Sequence, residues 1–373
     1  MLRGREAQLG LLAALRPHSR AATPGNQCGH WLVREKVLSL ISAERERQGY
    51  FEEDLLQIFV AGGTGVVGRR VVPALLREGH EVSVVARSAE KVAAVGALGA
   101  IPIEVGLFDA EALRAAVAGQ DVVVNLATSI PPFSKAAMKG AWKMNDRIRR
   151  EGSKNLVDAA LAAGASRYLQ ESVTFSYIDA GSQWIAEDHP TKANSITASS
   201  LDAEGEARRF GASGASAVIL RFGSFYGPDS GHTAAVVKFA RRGFGTTPGP
   251  RHAYLSSIST DDAAAAVVAA AAEAATGTYN VVDDNPVTRD EFDKVLARAV
   301  GRERLRPLPN IVERLMGDKL DHVVRSQRVS NKVLRTATRW QPRYPSVREG
   351  IPAIVATMTA GAMSPPGPSA SSA

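Results

Sequence analysis

The chain has 373 residues, of which 45% are hydrophobic and 22% charged, and its formal net charge is +7. These values are ordinary for a soluble globular protein. No apolar run reaches the roughly 20 residues that span a bilayer, and no block of Lys and Arg interleaved with aromatic residues marks a nucleic-acid surface. We therefore expect neither a membrane nor a nucleic acid as a partner.

The cysteine and histidine content argues against a disulfide framework and a metal site. Cys28 is the only cysteine, so an internal disulfide and a thiolate metal site are excluded. The seven histidines show no metal-ligand spacing, and we expect no metal. A single cysteine fits a reducing compartment, which predicts a cytoplasmic protein.

The two ends of the chain differ in composition from the rest. Residues 1–55 are rich in Arg and Ala and are expected to be an N-terminal extension, either disordered or the product of an upstream start. A transit peptide is the alternative, because roughly the first thirty residues are nearly free of acidic side chains. Residues 361–373 are rich in Pro and Ser and are expected to form a disordered tail. The folded domain is therefore expected at 56–360.

The first predicted elements are a strand, a glycine-rich turn and a helix. An uninterrupted apolar run from Ile58 to Ala61 is typical of a buried parallel strand. Glycines then recur at every third position, an order that lets the turn and the helix N-terminus hold a pyrophosphate. The predicted cofactor-binding residues of this turn are Gly62, Gly63, Thr64, Gly65, Val66, Val67 and Gly68.

A second strand, predicted at 81–86, ends before Arg87 and Ser88. A site that prefers NAD usually places Asp or Glu here against the ribose 2′-hydroxyl, whereas the planar guanidinium of Arg suits a 2′-phosphate. Lys91 lies one turn further on and adds a second positive charge. The pattern favours NADP over NAD as cofactor, and a solvated arginine at a strand end is the alternative interpretation.

Strands and helices continue to alternate along the chain, which predicts a doubly wound α/β fold. Further strands are predicted at 101–105, 121–126, 167–171 and 217–222, and helices from 89 and at 110–118, 144–163 and 198–210. Ligands of parallel sheets lie beyond the carboxyl ends of the strands. Leu126, Ala127 and Thr128 are therefore predicted to lie at the cofactor.

The second half of the chain changes character after about residue 223, where short strands, loops and helices follow one another. We expect a smaller C-terminal substrate lobe, drawn mainly from 176–195, 224–257 and 277–360. The predicted fold is thus a Rossmann-type doubly wound parallel sheet with this lobe, and a small molecule is the expected binding partner.

Several motifs, in this order, resemble the extended short-chain dehydrogenase/reductase family, also called the NAD-dependent epimerase/dehydratase family. They are VAGGTGVVG at 60–68, VVVNLAT at 122–128, NLVDAA at 155–160, VILRFGSFYGP at 218–228 and YNVVDDNPVT at 279–288. The family often places Asp near the adenine after its third strand, where this chain has Gly106. The resemblance thus implies a backbone-mediated adenine contact near Leu107.

The resemblance also implies a catalytic set that this chain lacks in part. The family uses a Ser or Thr and a Tyr-x-x-x-Lys pair, in which the phenol exchanges a proton with the substrate oxygen and the lysine lowers its pKa. Ser172 is the candidate serine, at the carboxyl end of the fifth predicted strand. Alignment on the catalytic helix places Ile196 at the tyrosine position and Ser200 at the lysine position. The chain therefore resembles an atypical branch of the family.

Two side chains are candidates to replace the missing proton donor. Tyr177 is expected on the loop that overhangs the nicotinamide, and Glu171 precedes Ser172 at the strand end. Each has a structural alternative: Tyr177 packs under the loop, or Glu171 pairs with Arg149 or Arg221.

Three functions are consistent with these observations. The first is an NADP-dependent oxidoreductase acting on a small carbonyl or hydroxyl compound, and the second is a non-catalytic NADP(H)-binding redox sensor. An isomerase or dehydratase that uses the nicotinamide transiently is a third. The two helices at 144–163 and 198–210 form the usual dimer surface of the family, which makes a homodimer possible.

Overall fold

The computed structural model describes residues 55–132, 135–136, 138, 140–307 and 320–363. The predictions for residues 1–54 and 364–373 lie outside the described residues. The last helix ends at Met363, three residues into the segment that composition predicts as a tail. In the part of the chain that is described, no helix is long and apolar enough to cross a membrane.

A sheet of seven parallel strands forms the centre of the domain. Its strands are β1 (Gln57–Ala61), β2 (Glu81–Val85), β3 (Ile101–Ile103), β4 (Val122–Asn125), β5 (Arg167–Val173), β7 (Ser216–Phe222) and β11 (Gly277–Val281). They lie in the order β11-β7-β5-β4-β1-β2-β3. Ile58 to Ala61 are fully buried, as expected for a parallel strand covered on both faces. The predicted fold class is confirmed.

Helices cover both faces of this sheet. They are α1 (Gly68–Arg77), α2 (Ala89–Ala97), α3 (Ala110–Val117), α4 (Lys143–Arg147), α5 (Ser153–Ala163), α6 (Ala198–Gly211) and α8 (Thr260–Glu273). One apolar core lies between the sheet and the α1 and α8 side, and a second lies between the sheet and α3, α5 and α6. This two-sided covering makes the carboxyl ends of the strands the open edge of the domain.

The C-terminal part adds three two-stranded sheets and a third apolar core. Its elements are β6 (Trp184–Ile185), β8 (Ser224–Tyr226), α7 (Gly231–Arg241), β9 (Tyr254–Leu255), β10 (Ser257–Ser259), β12 (Val287–Thr288), α9 (Arg289–Ala299), α10 (Asp321–Val324), β13 (Arg328–Val329), α11 (Lys332–Ala337) and α12 (Val347–Met363). The third core joins α7, α9 and α12. β11 falls within the range predicted for the lobe, but it pairs with β7 and belongs to the central sheet.

Three elements differ from the sequence prediction by more than one residue at a boundary or by an interruption. The helix predicted at 144–163 is interrupted, because a π-helical turn, Ile148–Gly152, separates α4 from α5. β3 ends at Ile103, two residues early. β5 continues to Val173, so Ser172 lies inside the strand instead of beyond its end.

A buried carboxyl group lies just after β11. Asp283 is 3% exposed, its Oδ2 accepts a hydrogen bond from the Tyr226 hydroxyl at 3.0 Å, and its Oδ1 has no partner among the described residues. Burial raises the pKa of Asp283 well above its usual value, and the negative charges of Asp262 and Asp284 act in the same direction against the opposing hydrogen bond of Tyr226. Asp283 is thus protonated in the folded state at pH values where the unfolded chain has released the proton.

This proton makes the stability fall as the pH rises. The folded state holds more protons than the unfolded chain above the ordinary Asp pKa, so Asp283 lowers the free energy of unfolding by up to about 1.4 kcal/mol per pH unit until its folded pKa is passed. We expect Asp283→Asn to flatten urea-unfolding free energies measured from about pH 5 to about pH 8. Glu90→Gln, on an exposed helix end, is the control. Equal slopes for Asp283→Asn and wild type would contradict the assignment.

Candidate cofactor site

The glycine turn after β1 is shaped by close backbone approaches. Gly62 has φ +84°, a conformation that favours glycine, and its carbonyl accepts a hydrogen bond from the Gly65 amide at 2.9 Å. A Cβ on Gly68 would lie 2.2 Å from the Gly62 oxygen, so only glycine lets α1 begin this close to β1. Gly65 is exposed, and a Cβ on it would meet only the Gly62 oxygen, at 3.2 Å. The turn therefore keeps one side of its backbone accessible.

A cavity of about 190 Å³ opens beside this turn, at the carboxyl ends of β1, β2 and β4. Its lining residues are Gly62, Thr64, Gly65, Val85, Arg87, Lys91, Leu107, Phe108, Leu126, Ala127, Thr128 and Ile148. None of these residues is acidic. The exposed glycine backbone, which leads into the N-terminus of α1, and two cationic side chains form a surface that fits the adenosine half and the diphosphate of a dinucleotide.

Most of the predicted cofactor residues line this cavity, and the others support it. Gly63 packs against Val84, which a Cβ would approach to 2.5 Å, and Val67 belongs to the apolar core. The Val66 carbonyl accepts a hydrogen bond from Arg70 at 2.9 Å. The Ser88 hydroxyl accepts the Lys91 amide as the N-cap of α2. Of the predicted set, Gly63, Val66, Val67, Gly68 and Ser88 are not among the lining residues.

Arg87 and Lys91 place two positive charges in the same cavity. Arg87 is exposed and follows β2, and no hydrogen bond or ion pair between it and the described residues competes for its guanidinium. Ser88 caps α2, and this cap directs the helix so that Lys91, in its first turn, reaches the cavity. A phosphate on the ribose 2′-oxygen would meet both cations here.

The segment after β3 forms an apolar wall. Leu107 and Phe108 both line the cavity, and the backbone-mediated adenine contact near Leu107 stays a prediction. Asp109 caps α3 by accepting the Ala112 amide at 3.0 Å. Phe108, Val85 and Ile148 were missed by sequence reasoning. An apolar pair directly after a strand end was the signal for Phe108, whereas nothing in the sequence places Ile148 beside it.

Residues 126–128 are positioned by Asn125 at the end of β4. The Asn125 side chain is 1% exposed and donates to the Ser153 hydroxyl at 3.1 Å and to Gln170 Oε1 at 3.0 Å. Its Oδ1 accepts the Ala127 amide at 3.1 Å. These bonds turn the chain at Leu126, whose backbone approaches Gly62. The strand end and the glycine turn therefore lie side by side, and both line the cavity.

Ser172 is held in a buried ionic network. Its hydroxyl donates to Glu204 Oε1 at 2.6 Å, and Ser172 and Glu204 are both fully buried. Arg221, 5% exposed, binds the same carboxylate through Nε at 2.8 Å and through its terminal nitrogen at 2.7 Å. Burial raises the pKa of the Glu204 carboxyl, but the hydrogen bonds and charge of Arg221 outweigh this effect and the pKa lies below its usual value. The Ser172 proton is thus directed at an ionised carboxylate.

Tyr177 and Glu171 also have protein partners. Tyr177 is fully buried, and its hydroxyl donates to Asn280 Oδ1 at 2.8 Å. Burial raises the pKa of Tyr177 to about 12, against the opposing effect of Arg221, which makes the phenol a weak acid near neutral pH. Glu171 pairs with Arg149 at 2.7 Å, as one of the structural alternatives predicts.

None of the three predicted catalytic residues, Ser172, Tyr177 and Glu171, is among those lining the described cavity. Ile196 is half-buried, and the Ser200 hydroxyl donates to the Thr197 carbonyl at 2.6 Å, so neither supplies a proton donor of the Tyr/Lys kind. Catalytic roles for the three residues stay predictions.

Comparisons with known proteins identify the family of this chain. Residues 62–274 match the family described as NAD(P)H-binding. A Streptomyces protein named 3-diazoavenalumate denitrifying reductase is 33% identical over 306 residues, which cover 79% of this chain and 99% of that protein. Human epimerase family protein SDR39U1, solved with NADPH, has a TM-score of 0.67 at 22% identity. The match covers 80% of this chain and 99% of the human chain. UDP-glucose 4-epimerase of Thermus thermophilus, solved with NAD, has a TM-score of 0.65 at 23% identity. The match covers 81% of this chain and 98% of the epimerase chain.

Proposed function

We propose that the chain, which belongs to the NAD(P)H-binding epimerase/dehydratase family of extended short-chain dehydrogenases/reductases, is an NADPH-dependent reductase. The observation that carries the proposal is the cavity beside the glycine turn, where Arg87 and Lys91 supply two cations and no described lining residue is acidic. A ribose 2′-phosphate finds charge partners here, whereas a free 2′-hydroxyl finds no carboxylate to accept its hydrogen bond. NADP is therefore preferred to NAD.

Different residues of the site bind different parts of the cofactor. The turn at Gly62 to Gly65 and the N-terminus of α1 hold the diphosphate, Arg87 and Lys91 hold the 2′-phosphate, and Leu107 and Phe108 enclose the adenine. NADPH, when bound, supplies a hydride.

Proton supply restricts the substrate. Reduction of a carbonyl needs a proton on the substrate oxygen, and the family provides it from a tyrosine that this chain lacks. Ser172 donates to Glu204, and Tyr177 donates to Asn280. An acceptor that takes hydride without needing a proton from the protein fits these contacts better than a carbonyl.

A diazo group in its aryl diazonium form is such an acceptor, and we propose it as the substrate class. Its terminal nitrogen accepts the hydride to give a diazene, R–N=N–H. The carbon–nitrogen bond then breaks, the hydrogen passes from nitrogen to carbon, and N₂ leaves. The sum is R–N₂⁺ + NADPH → R–H + N₂ + NADP⁺, which balances in atoms and charge. The name of the Streptomyces relative, a denitrifying reductase of a diazo compound, supports this class.

The test uses the full chain with NADPH deuterated at C4, an arenediazonium carboxylate, and a panel of aldehydes and ketones. We expect enzyme-dependent release of N₂ and formation of the arene, above the rate with heat-denatured protein, and a slower rate with the deuterated cofactor than with unlabelled NADPH. Turnover of carbonyl compounds alone would refute the diazo assignment. Tight NADPH binding with no turnover of either class would refute the reductase and favour the redox sensor, a function consistent with the engaged side chains of Ser172, Tyr177 and Glu171.

We also propose that the protein acts in the cytoplasm, where NADPH is available and the single Cys28 stays reduced. Homodimerisation through α5 and α6 stays a prediction. Ion pairs of Asp158 with Lys154 and Arg209 lie on these helices, so an interface there would be partly polar. The mass of the purified protein in solution, measured by light scattering, would decide between monomer and dimer.

A further inference from the structure

The adenine-side wall of the cavity is supported from outside by an arginine. The guanidinium carbon of Arg147 lies 3.8 Å from the centroid of the Phe108 ring, a cation–π distance. Phe108 lines the cavity and Arg147 does not, so Arg147 contacts the ring from outside the cavity. Arg147 instead lines a separate surface depression with Lys143, Asp146, Arg150 and Glu151.

The position of Arg147 is set by its own ion pair. Glu151 binds it with two hydrogen bonds, from Nε at 2.6 Å and from a terminal nitrogen at 3.0 Å. Both side chains are about half-exposed, so the pair by itself adds little stability. Its effect is to hold the planar guanidinium in one orientation over the phenyl ring.

The π-helical turn Ile148–Gly152 brings these groups to the wall. It begins directly after Arg147, and its first residue, Ile148, lines the cavity beside Phe108. Its last residue, Gly152, lies against Leu107, because a Cβ there would come within 3.4 Å of the Leu107 Cβ. One turn later, Asn155 donates to the Leu107 carbonyl at 3.0 Å. Single π-helical turns are frequent at functional sites, and this one contacts Leu107 and lines the same cavity as Phe108.

We propose that Arg147 is a positioning residue for the adenine of the cofactor, acting through Phe108. The 2′-phosphate and the adenine belong to the same nucleoside, so the apolar residues that share a cavity with Arg87 surround the adenine ring. Arg147 holds the Phe108 ring in place before the cofactor binds. Because the ring is already ordered, binding of the adenine against its face costs less side-chain entropy. This inference deepens the proposed function, since it rests on NADPH binding at this cavity, but it does not depend on turnover.

The experiment measures dissociation constants by isothermal titration for three ligands: NADPH, 2′,5′-ADP and reduced nicotinamide mononucleotide. We expect Arg147→Ala to raise the constants for NADPH and 2′,5′-ADP by the same factor, about two- to fivefold, and to leave that for the mononucleotide unchanged. Arg150→Ala is the matched control. Arg150 is equally exposed and also ion-paired, but with Asp202 of α6, and it should change none of the three constants.

Two further variants keep the test decisive. Arg147→Lys retains the charge without the planar stack and should give an intermediate effect, and Phe108→Leu should make Arg147→Ala silent in the double variant. Unchanged 2′,5′-ADP affinity in Arg147→Ala would overturn the inference, as would an equal loss for the mononucleotide. Failure of the reductase proposal appears differently, as absent turnover with normal NADPH binding.

Discussion

Arg87→Glu is expected to lower the affinity for NADPH by about 100- to 1,000-fold, while the affinity for NADH stays within about threefold. Arg87 is exposed, follows β2 and lines the cavity together with Lys91. A planar guanidinium gives up to two charge-assisted hydrogen bonds to a phosphate, each worth about 1.5–3 kcal/mol. The substitution removes these bonds and places a carboxylate against a phosphate of the same sign. Dissociation constants for both cofactors, measured at fixed ionic strength, test the expectation.

A matched charge reversal separates this local effect from the change in net charge. Arg114→Glu alters the charge by the same amount on the exposed face of α3 and lies outside the cavity, so it should leave both constants unchanged. If Arg87→Glu kept the wild-type preference for NADPH over NADH, Arg87 would be a solvated strand-end residue. Equal losses for NADPH and NADH would instead mean that the substitution distorts the cavity as a whole.

Glu204→Ala is expected to lower the free energy of unfolding by about 3–5 kcal/mol. Glu204 is fully buried and binds two buried groups, the Arg221 guanidinium and the Ser172 hydroxyl. Its removal leaves the Arg221 charge inside the protein without a carboxylate. The loss comes mainly from this uncompensated charge and not from the intrinsic strength of the pair. Urea unfolding near neutral pH, followed by two spectroscopic probes, gives the free energy and checks two-state behaviour.

The same helix offers the control. Glu206→Ala removes a carboxylate that pairs with Arg209 at the surface, and we expect a loss of at most about 0.5 kcal/mol. A double variant, Glu204→Leu with Arg221→Met, replaces both charges by apolar side chains and should recover much of the stability. A loss for Glu204→Ala no larger than that for Glu206→Ala would show that water reaches Arg221 and compensates its charge.

The local sequence was sufficient to predict the conformation of the glycine turn and the residues around it. The buried run before Gly62, the three-residue glycine spacing and the cation after β2 each act over a few residues, so a short stretch of chain predicts their arrangement. The doubly wound sheet followed from the alternation of strand and helix signals, and it is confirmed in seven parallel strands. The absence of a Tyr-x-x-x-Lys pair could be read directly from the sequence, because no tyrosine is followed by a lysine four residues later.

The partners of the polar side chains could not be predicted in the same way. Ser172, Tyr177 and Glu171 looked available for chemistry because they lie near a strand end, yet each bonds to a residue from another element: Glu204, Asn280 and Arg149. Of these partners, the sequence suggested only Arg149, and only as one of two alternatives for Glu171. These pairings depend on how α6, β11 and the π-helical turn pack against β5 and the loop after it, and such packing is a property of the whole domain.

The sequence by itself thus determined where a dinucleotide diphosphate has room and which charges stand beside it, because those features are set by backbone conformation within single turns. Only the tertiary structure decided which hydroxyls and carboxylates are already bonded and which apolar side chain, Phe108, meets Arg147 across two segments. The physical reason is that burial and hydrogen-bond partners come from elements distant in sequence, whereas a glycine turn needs only its own residues.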